Sequence, residues 1–202
     1  MKISKKFVAI FLIVLGLLLM AMVPLKNYLV QSHQHQAVSQ ITKATVKRNR
    51  KKKGDFQFDK VHEIGIKQAA TTYKQDPLII GRIQIPSVGL NLPINKGLSD
   101  VNMSTGACTM KPNQVMGKGN YPLAGHYMTN NGALFSPLEN TQIGQNIYIT
   151  DLNHTYTYKI YSKKIVDPHD VYLVNNTKKP IITLITCANG GSMRWCIRGV
   201  LQ

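Results

Sequence analysis

The sequence predicts an all-β domain, a small barrel or sandwich, carried behind a single N-terminal membrane-spanning helix with a basic stalk between them. Three observations predict this. Residues 7–25 form one apolar block without a charge, and from residue 77 the chain breaks into short β-branched segments parted by Asn, Gly and Pro. Long helical periodicity is missing from that second part, and no internal repeat suggests a solenoid or propeller.

The first element runs from Phe7 to Leu25. Its 19 residues span roughly 28 Å as a helix, one hydrocarbon core. A removed signal peptide would have a shorter apolar stretch and a small-Xaa-small cleavage site, of which Ala21-Met22-Val23 is a poor version. Residues 1–26 are therefore expected to be an uncleaved anchor. Lys2, Lys5 and Lys6 lead it, which favours a cytoplasmic N-terminus and an outer location for everything after Lys26. The outer cluster Lys47–Lys53 starts more than 20 residues beyond the span, where the positive-inside rule weakens.

Residues 27–75 read as the stalk. They are polar, and the like charges of Lys47-Arg48-Asn49-Arg50-Lys51-Lys52-Lys53 predict disorder at that end. His33 and His35 have no third ligand nearby, so ordinary polarity explains them. Phe56, Phe58, Val61, Ile64 and Ile66, followed by Lys67-Gln68-Ala69-Ala70, suggest a short helix packing on the domain.

Residues 76–202 carry the strands. Residues 78–85 are the first, stopped by Pro86, and 88–94 the second. Further short segments follow near 120–126, 146–150, 154–166, 181–187 and 194–201. Tyr156-Tyr158-Ile160 alternates with Thr155-Thr157-Lys159, the two-residue period of a half-buried strand.

Charge separates the parts again. Of the net +16, residues 1–75 hold 14 Lys/Arg against three acids, and residues 76–202 hold 11 against six. The excess belongs to the anchor and stalk, where its partners would be anionic lipid headgroups, wall polymers or simply solvent. A nucleic-acid protein would carry it on the folded module among aromatics, and no such patch is present.

Three cysteines, Cys108, Cys187 and Cys196, form no CxxC and suit neither a disulfide framework nor a metal site. Cys187 ends the run Ile181-Ile182-Thr183-Leu184-Ile185-Thr186, just before Ala188-Asn189-Gly190-Gly191. A strand there delivers its last side chain to a rim. On these residues alone Cys187 is either a packed core thiol or a nucleophile. His126 follows Leu123-Ala124-Gly125, whose small residues allow a close approach to the backbone. Arg194 and Arg198 share a strand face, and both could supply a fixed cation.

Thr-Leu-Ile-Thr-Cys, Leu-Ala-Gly-His and Arg-Trp-Cys-Ile-Arg-Gly together resemble the signature of the sortases, class A in particular. Gly97-Leu98-Ser99 and Met110 through Tyr121 look like class A members of streptococci and lactic acid bacteria. The resemblance covers residues 54–202, and its motifs lie mostly in 81–202. It implies an eight-stranded β-barrel with short helices and a membrane-anchored cysteine transpeptidase of Gram-positive bacteria. Its substrates would be secreted proteins with a Leu-Pro-Xaa-Thr-Gly sorting signal, cut between Thr and Gly. The acyl group would pass to an amine of the peptidoglycan precursor lipid II.

On this pattern Cys187 is the nucleophile, His126 the proton donor and acceptor, and Arg194 the stabiliser of the oxyanion or of bound peptide. Arg198 falls where the family varies. Ala124 and Thr186 are assigned to substrate binding. Cys196 and Cys108 look like small packing residues, with a disulfide between them lacking positive support. Some class A members bind calcium through acids before the histidine, but Lys111, Gln114 and Lys118 stand there here. No metal or cofactor is expected. Two rivals stay open. A pilus-polymerising sortase commonly adds a C-terminal membrane segment and a lid, neither of which is obvious here. A non-catalytic wall-binding module would bind without turnover.

Overall fold

A computed structural model describes residues 5–57, 65, 71–72, 75–128 and 132–202. Two helices lead: α1 (Lys5–Ser39) and α2 (Lys43–Arg50). They are followed by β1 (Ile79–Ile85), β2 (Leu90–Asn95), the one-turn helix α3 (Asp100–Met103), β3 (Ala107–Thr109) and β4 (Asn120–Ala124). The chain ends with β5 (Asn146–Thr150), β6 (Thr155–Val166), β7 (Ile181–Ala188) and β8 (Met193–Leu201).

The eight strands close into a barrel in the order β1-β2-β3-β4-β7-β8-β6-β5. Closure decides between barrel and sandwich and removes every sheet edge. The pairings are antiparallel except β2–β3 and β4–β7, which are parallel. Alternation builds the inside: β1 reads buried at every second residue, and Ile83, Leu92, Leu123, Ile149, Leu184 and Ile197 meet in the core. Tyr158 and Ile160 of β6 turn inward while Thr155 and Lys159 face solvent, as their alternation predicts. The three-residue β3 and the single turn α3 carry too little periodicity to be read from sequence.

Helix α1 has two unlike halves. Val8 through Leu25 expose apolar side chains all round, among them Phe11, Leu17, Met20 and Val23. This stretch is long and apolar enough to cross a membrane. Beyond Lys26, Val30, His33, Gln34 and Ala37 form a buried stripe at helical spacing. Val30 joins the barrel core, and Gln34 Oε1 accepts the Leu134 N–H at 2.9 Å. Burying one such Val is worth about 1.5–3 kcal/mol, so this half belongs to the folded domain.

The basic segment also differs from its expectation, being helical rather than disordered. Thr42 caps α2 by accepting the Thr45 N–H, and Lys47, Arg48 and Arg50 sit in the last turn, favourable to the helix dipole. Val46 and Asn49 are buried, and Asn49 Nδ2 donates to the carbonyls of Pro77 and Ile79. Arg50 pairs with Asp151 at 2.8 Å, and Lys96 Nζ donates to the carbonyls of Arg50 and Lys52. A block of like charge packs when one helical face carries groups the barrel can bury. Most of the expected helix around residues 58–70 lies outside the described residues.

Candidate active site

The parallel pairing of β4 with β7 makes the site. Ala124 stands beside Ile185 in that register, and the Gly125 N–H continues the ladder to the Ile185 carbonyl at 3.1 Å. Two residues further along each chain come His126 and Cys187. On the other side of β7, Cys187 stands directly opposite Arg194 of β8. Such partners share a face with Cβ atoms about 4.5–5.5 Å apart. A thiol and a guanidinium seven residues apart in sequence thus stand opposite each other on β7 and β8, and an imidazole 61 residues before the thiol lines the same cleft as it.

Local sequence explains each placement. Gly125 is small because the Phe135 ring lies 2.6 Å from where its Cβ would be. The close approach anticipated at Leu123-Ala124-Gly125 is that ring, and the Phe135 N–H bonds the His126 carbonyl at 3.0 Å. Between β7 and β8 the chain reverses through Asn189, Gly190 and Gly191, all at positive φ, so a compact turn returns Arg194 to Cys187.

Cys187 is free and half-buried. Burial pushes the His126 pKa down to about 4, and only the Asp100 charge opposes it. The resting imidazole is therefore neutral. Among the described residues no carboxylate is hydrogen-bonded to the His126 ring. Arg194 Nη1 donates to the carbonyls of Gly191 at 2.6 Å and Met193 at 2.9 Å. The other three N–H groups of the guanidinium remain for a ligand.

Ala124 lies half-buried on the same outer face as Ile185 and Cys187, packed against the cluster of Leu98, Met103 and Cys108. Thr186 alternates to the opposite face opposite Trp195, is 2 % exposed, and its hydroxyl has no partner. Arg198 stands four residues down β8, opposite Thr183. Cys108 and Cys196 are free and buried, with thiol pKa values raised by desolvation. No disulfide joins them.

A cleft of about 350 Å³ adjoins the rim, lined by Cys187, His126, Ala188, the 189–191 turn, Trp195, Tyr127, Glu139 and Lys26. Arg194 is not in its wall. Cys187 thus stands opposite Arg194 across the strands and opens onto this rim cleft. Tyr127 and Glu139 have no motif of their own in the sequence, and Lys26 and Trp195 carry signals for other roles, the end of the span and the strand motif of residues 194–199. A larger cavity of about 400 Å³ lies elsewhere, beside Arg50, Lys96 and Lys111, away from the thiol.

The loop before β4 carries no carboxylate. Gln114 pins it by accepting from the Met110 and Lys111 N–H groups and donating to the Pro122 carbonyl. Lys111 Nζ reaches Asn176 Oδ1 at 2.8 Å, joining this loop to the one between β6 and β7. Among the described residues no group of three His, Cys, Asp or Glu could hold a metal ion.

The family profile of the sortase domain matches residues 83–202. The chain belongs to the sortase family. It is 39 % identical to sortase A of Listeria monocytogenes, over 91 % of this chain and 84 % of that protein. It is 37 % identical to sortase A of Streptococcus agalactiae, over 89 % of this chain and 76 % of the other. The crystal structure of Listeria monocytogenes sortase A superposes with a TM-score of 0.60 at 43 % identity, covering 61 % of this chain and 87 % of that one. This sortase is accordingly a cysteine transpeptidase that anchors surface proteins to the cell wall, acting on sorting-signal proteins and peptidoglycan precursors.

Proposed function

We propose that this sortase cleaves a Leu-Pro-Xaa-Thr-Gly sorting signal between Thr and Gly and transfers the acyl group to an amine of lipid II. Residues 76–202 are the catalytic barrel, residues 27–75 connect it to the anchor, and residues 1–26 cross the membrane with the N-terminus in the cytoplasm. What supports the reading is the register that sets Cys187 opposite Arg194, together with the cleft that Cys187 shares with His126.

In this mechanism neutral His126 accepts the thiol proton as the sulfur of Cys187 attacks the Thr carbonyl carbon. Arg194 donates to the oxygen that gains charge, where a fixed cation in a partly dry site is worth more than in water. The C–N bond then breaks, and His126 returns its proton to the departing amine of Gly. A thioacyl enzyme remains. An incoming amine reverses the steps, losing a proton to His126 while the C–S bond breaks. Ala124 contacts the peptide from the outer face. Thr186, on the buried face of β7, is left without a direct contact to the peptide. The loop before His126 carries Lys111, Gln114 and Lys118 in place of carboxylates, and Lys111 Nζ bonds Asn176 Oδ1, so the reaction runs without calcium.

The test is a fluorogenic Leu-Pro-Xaa-Thr-Gly peptide with mass spectrometry of the enzyme. Wild type cleaves the peptide and carries the thioacyl adduct on Cys187, with equal rates in EGTA and Ca²⁺. Cys187→Ala loses both cleavage and adduct. Full cleavage by that variant would sink the assignment.

A further inference from the structure

A transpeptidase must prefer an amine to the water that surrounds it. Alkyl amines are mostly ammonium at pH 7, so the acceptor reaches the thioacyl enzyme as a cation and benefits from an anion on its path. Among the described residues, Glu139 is the one carboxylate in the wall of the rim cleft that holds Cys187 and His126.

Its setting suits that task. Glu139 lies on the short 3-10 turn Ser136–Asn140, whose Ser136 hydroxyl is bonded to both the N–H and the carbonyl of Met128. The backbone that carries it is therefore tied to the segment that carries His126. The Tyr127 hydroxyl, one residue past His126, donates to Glu139 Oε2. That bond raises the Tyr127 pKa, keeping the phenol a donor, and leaves Oε1 for a ligand. The ion pairs among the described residues belong to Asp151 and Asp167, not to Glu139. Lys163 Nζ bonds the Glu139 backbone carbonyl and lies 4.8 Å from the Trp195 ring centroid, bracing the wall rather than neutralising the carboxylate.

The position of the cleft supplies the second part. Arg194 and Ala124 share the outer face with Cys187, where the acyl peptide lies in the mechanism above, whereas Glu139 approaches from the rim. An acceptor held at Glu139 reaches the thioacyl carbon without displacing the peptide.

We propose that Glu139, oriented by Tyr127, is the acceptor-binding residue of this sortase and receives the ammonium group of the incoming amine beside Cys187. The proposal rests on the transpeptidase reading of Cys187 and His126. The bound ammonium sheds one proton to solvent. Its nitrogen then bonds the thioacyl carbon, a second N–H proton passes to His126, and the C–S bond breaks. The sulfur takes that proton back from His126, so enzyme and charge are restored.

The full-length protein in detergent micelles, first loaded with a sorting-signal peptide, tests this with two nucleophiles. Triglycine is a cationic amine; hydroxylamine is largely uncharged at neutral pH. Glu139→Gln should raise the KM for triglycine about tenfold and shift product toward hydrolysis. Release by hydroxylamine should change less than about twofold. Tyr127→Phe should move the triglycine KM about threefold in the same direction. An unchanged triglycine KM, an equal loss with hydroxylamine, or a defect confined to thioacyl formation would each overturn the role of Glu139. Failure of the wild type to form the thioacyl adduct would instead strike the reading of Cys187.

Discussion

The outer face of the β4–β7 pair is polar at both ends, and the two ends are built on opposite plans. At the start of the strands, Asn120 Nδ2 donates to the carbonyls of Leu173 and Asn175, and its Oδ1 accepts from the Thr183 hydroxyl at 2.8 Å. Asn120 and Thr183 are 1 % and 0 % exposed. At the finish, Cys187 and the His126 ring have no hydrogen-bond partner among the described residues. Buried polar groups are normally satisfied, so an end left unsatisfied is held that way by the rest of the fold. One end fixes the loop between β6 and β7; the other keeps its donors and acceptors for a substrate.

The two arginines of β8 divide along the same line and give the sharpest way to break the contrast. Arg194 faces Cys187 at the reactive end, and Arg198, whose Nε is buried without a partner among the described residues, faces Thr183 at the other end, about 13 Å along the strand. Arg194→Ala should lower kcat/KM by about 10²–10³-fold, the usual cost of an oxyanion donor. Arg198→Ala should change it only a few-fold. The reverse ranking would move the catalytic cation to the other end and dissolve the distinction.

A smaller effect is expected from Asn120→Ala, and it should appear as stability rather than rate. The substitution leaves a buried Thr183 hydroxyl and the Leu173 carbonyl without partners, a cost of about 2–3 kcal/mol. Urea unfolding should show a lower midpoint, with activity per folded molecule held within a few-fold. An unshifted midpoint with a large loss of rate would mean that this end, too, serves chemistry.

Much of the reactive end is legible in the sequence because it is concentrated in motifs. Thr186-Cys187 and Gly125-His126 end β-branched or small-residue strands, and the φ > 0 turn at Gly190-Gly191 fixes where Arg194 returns. Most strand positions follow from alternation, which depends only on burying one face. The parallel pairing does not follow, because register between strands 61 residues apart is set by closure of the whole barrel. Nor does the docking of α1 and α2. Val30, Gln34 and Asn49 look like unremarkable stalk residues until the surface that buries them exists. Glu139 and Tyr127 were hidden for the same reason, since their partnership spans a loop without a pattern.

The finest test concerns the proton on His126. Its pKa lies at about 4 in the fold because burial disfavours the imidazolium, against roughly 6.5 for an unperturbed histidine. The unfolded chain therefore binds this proton more readily than the folded one. The resulting contribution to stability is fully present above about pH 6.5 and is lost as the pH falls toward 4. Between about pH 6.5 and 4 the urea midpoint of wild type should accordingly fall relative to that of His126→Phe. Because attack needs the neutral imidazole, the acid limb of kcat/KM for thioacyl formation should fall near pH 4 rather than 6.5. A limb at 6.5 would mean that His126 is solvated as the satisfied end is not, and that its missing hydrogen bonds are supplied by water. A limb near 4 ties the basicity of the catalyst to the burial that surrounds its ring.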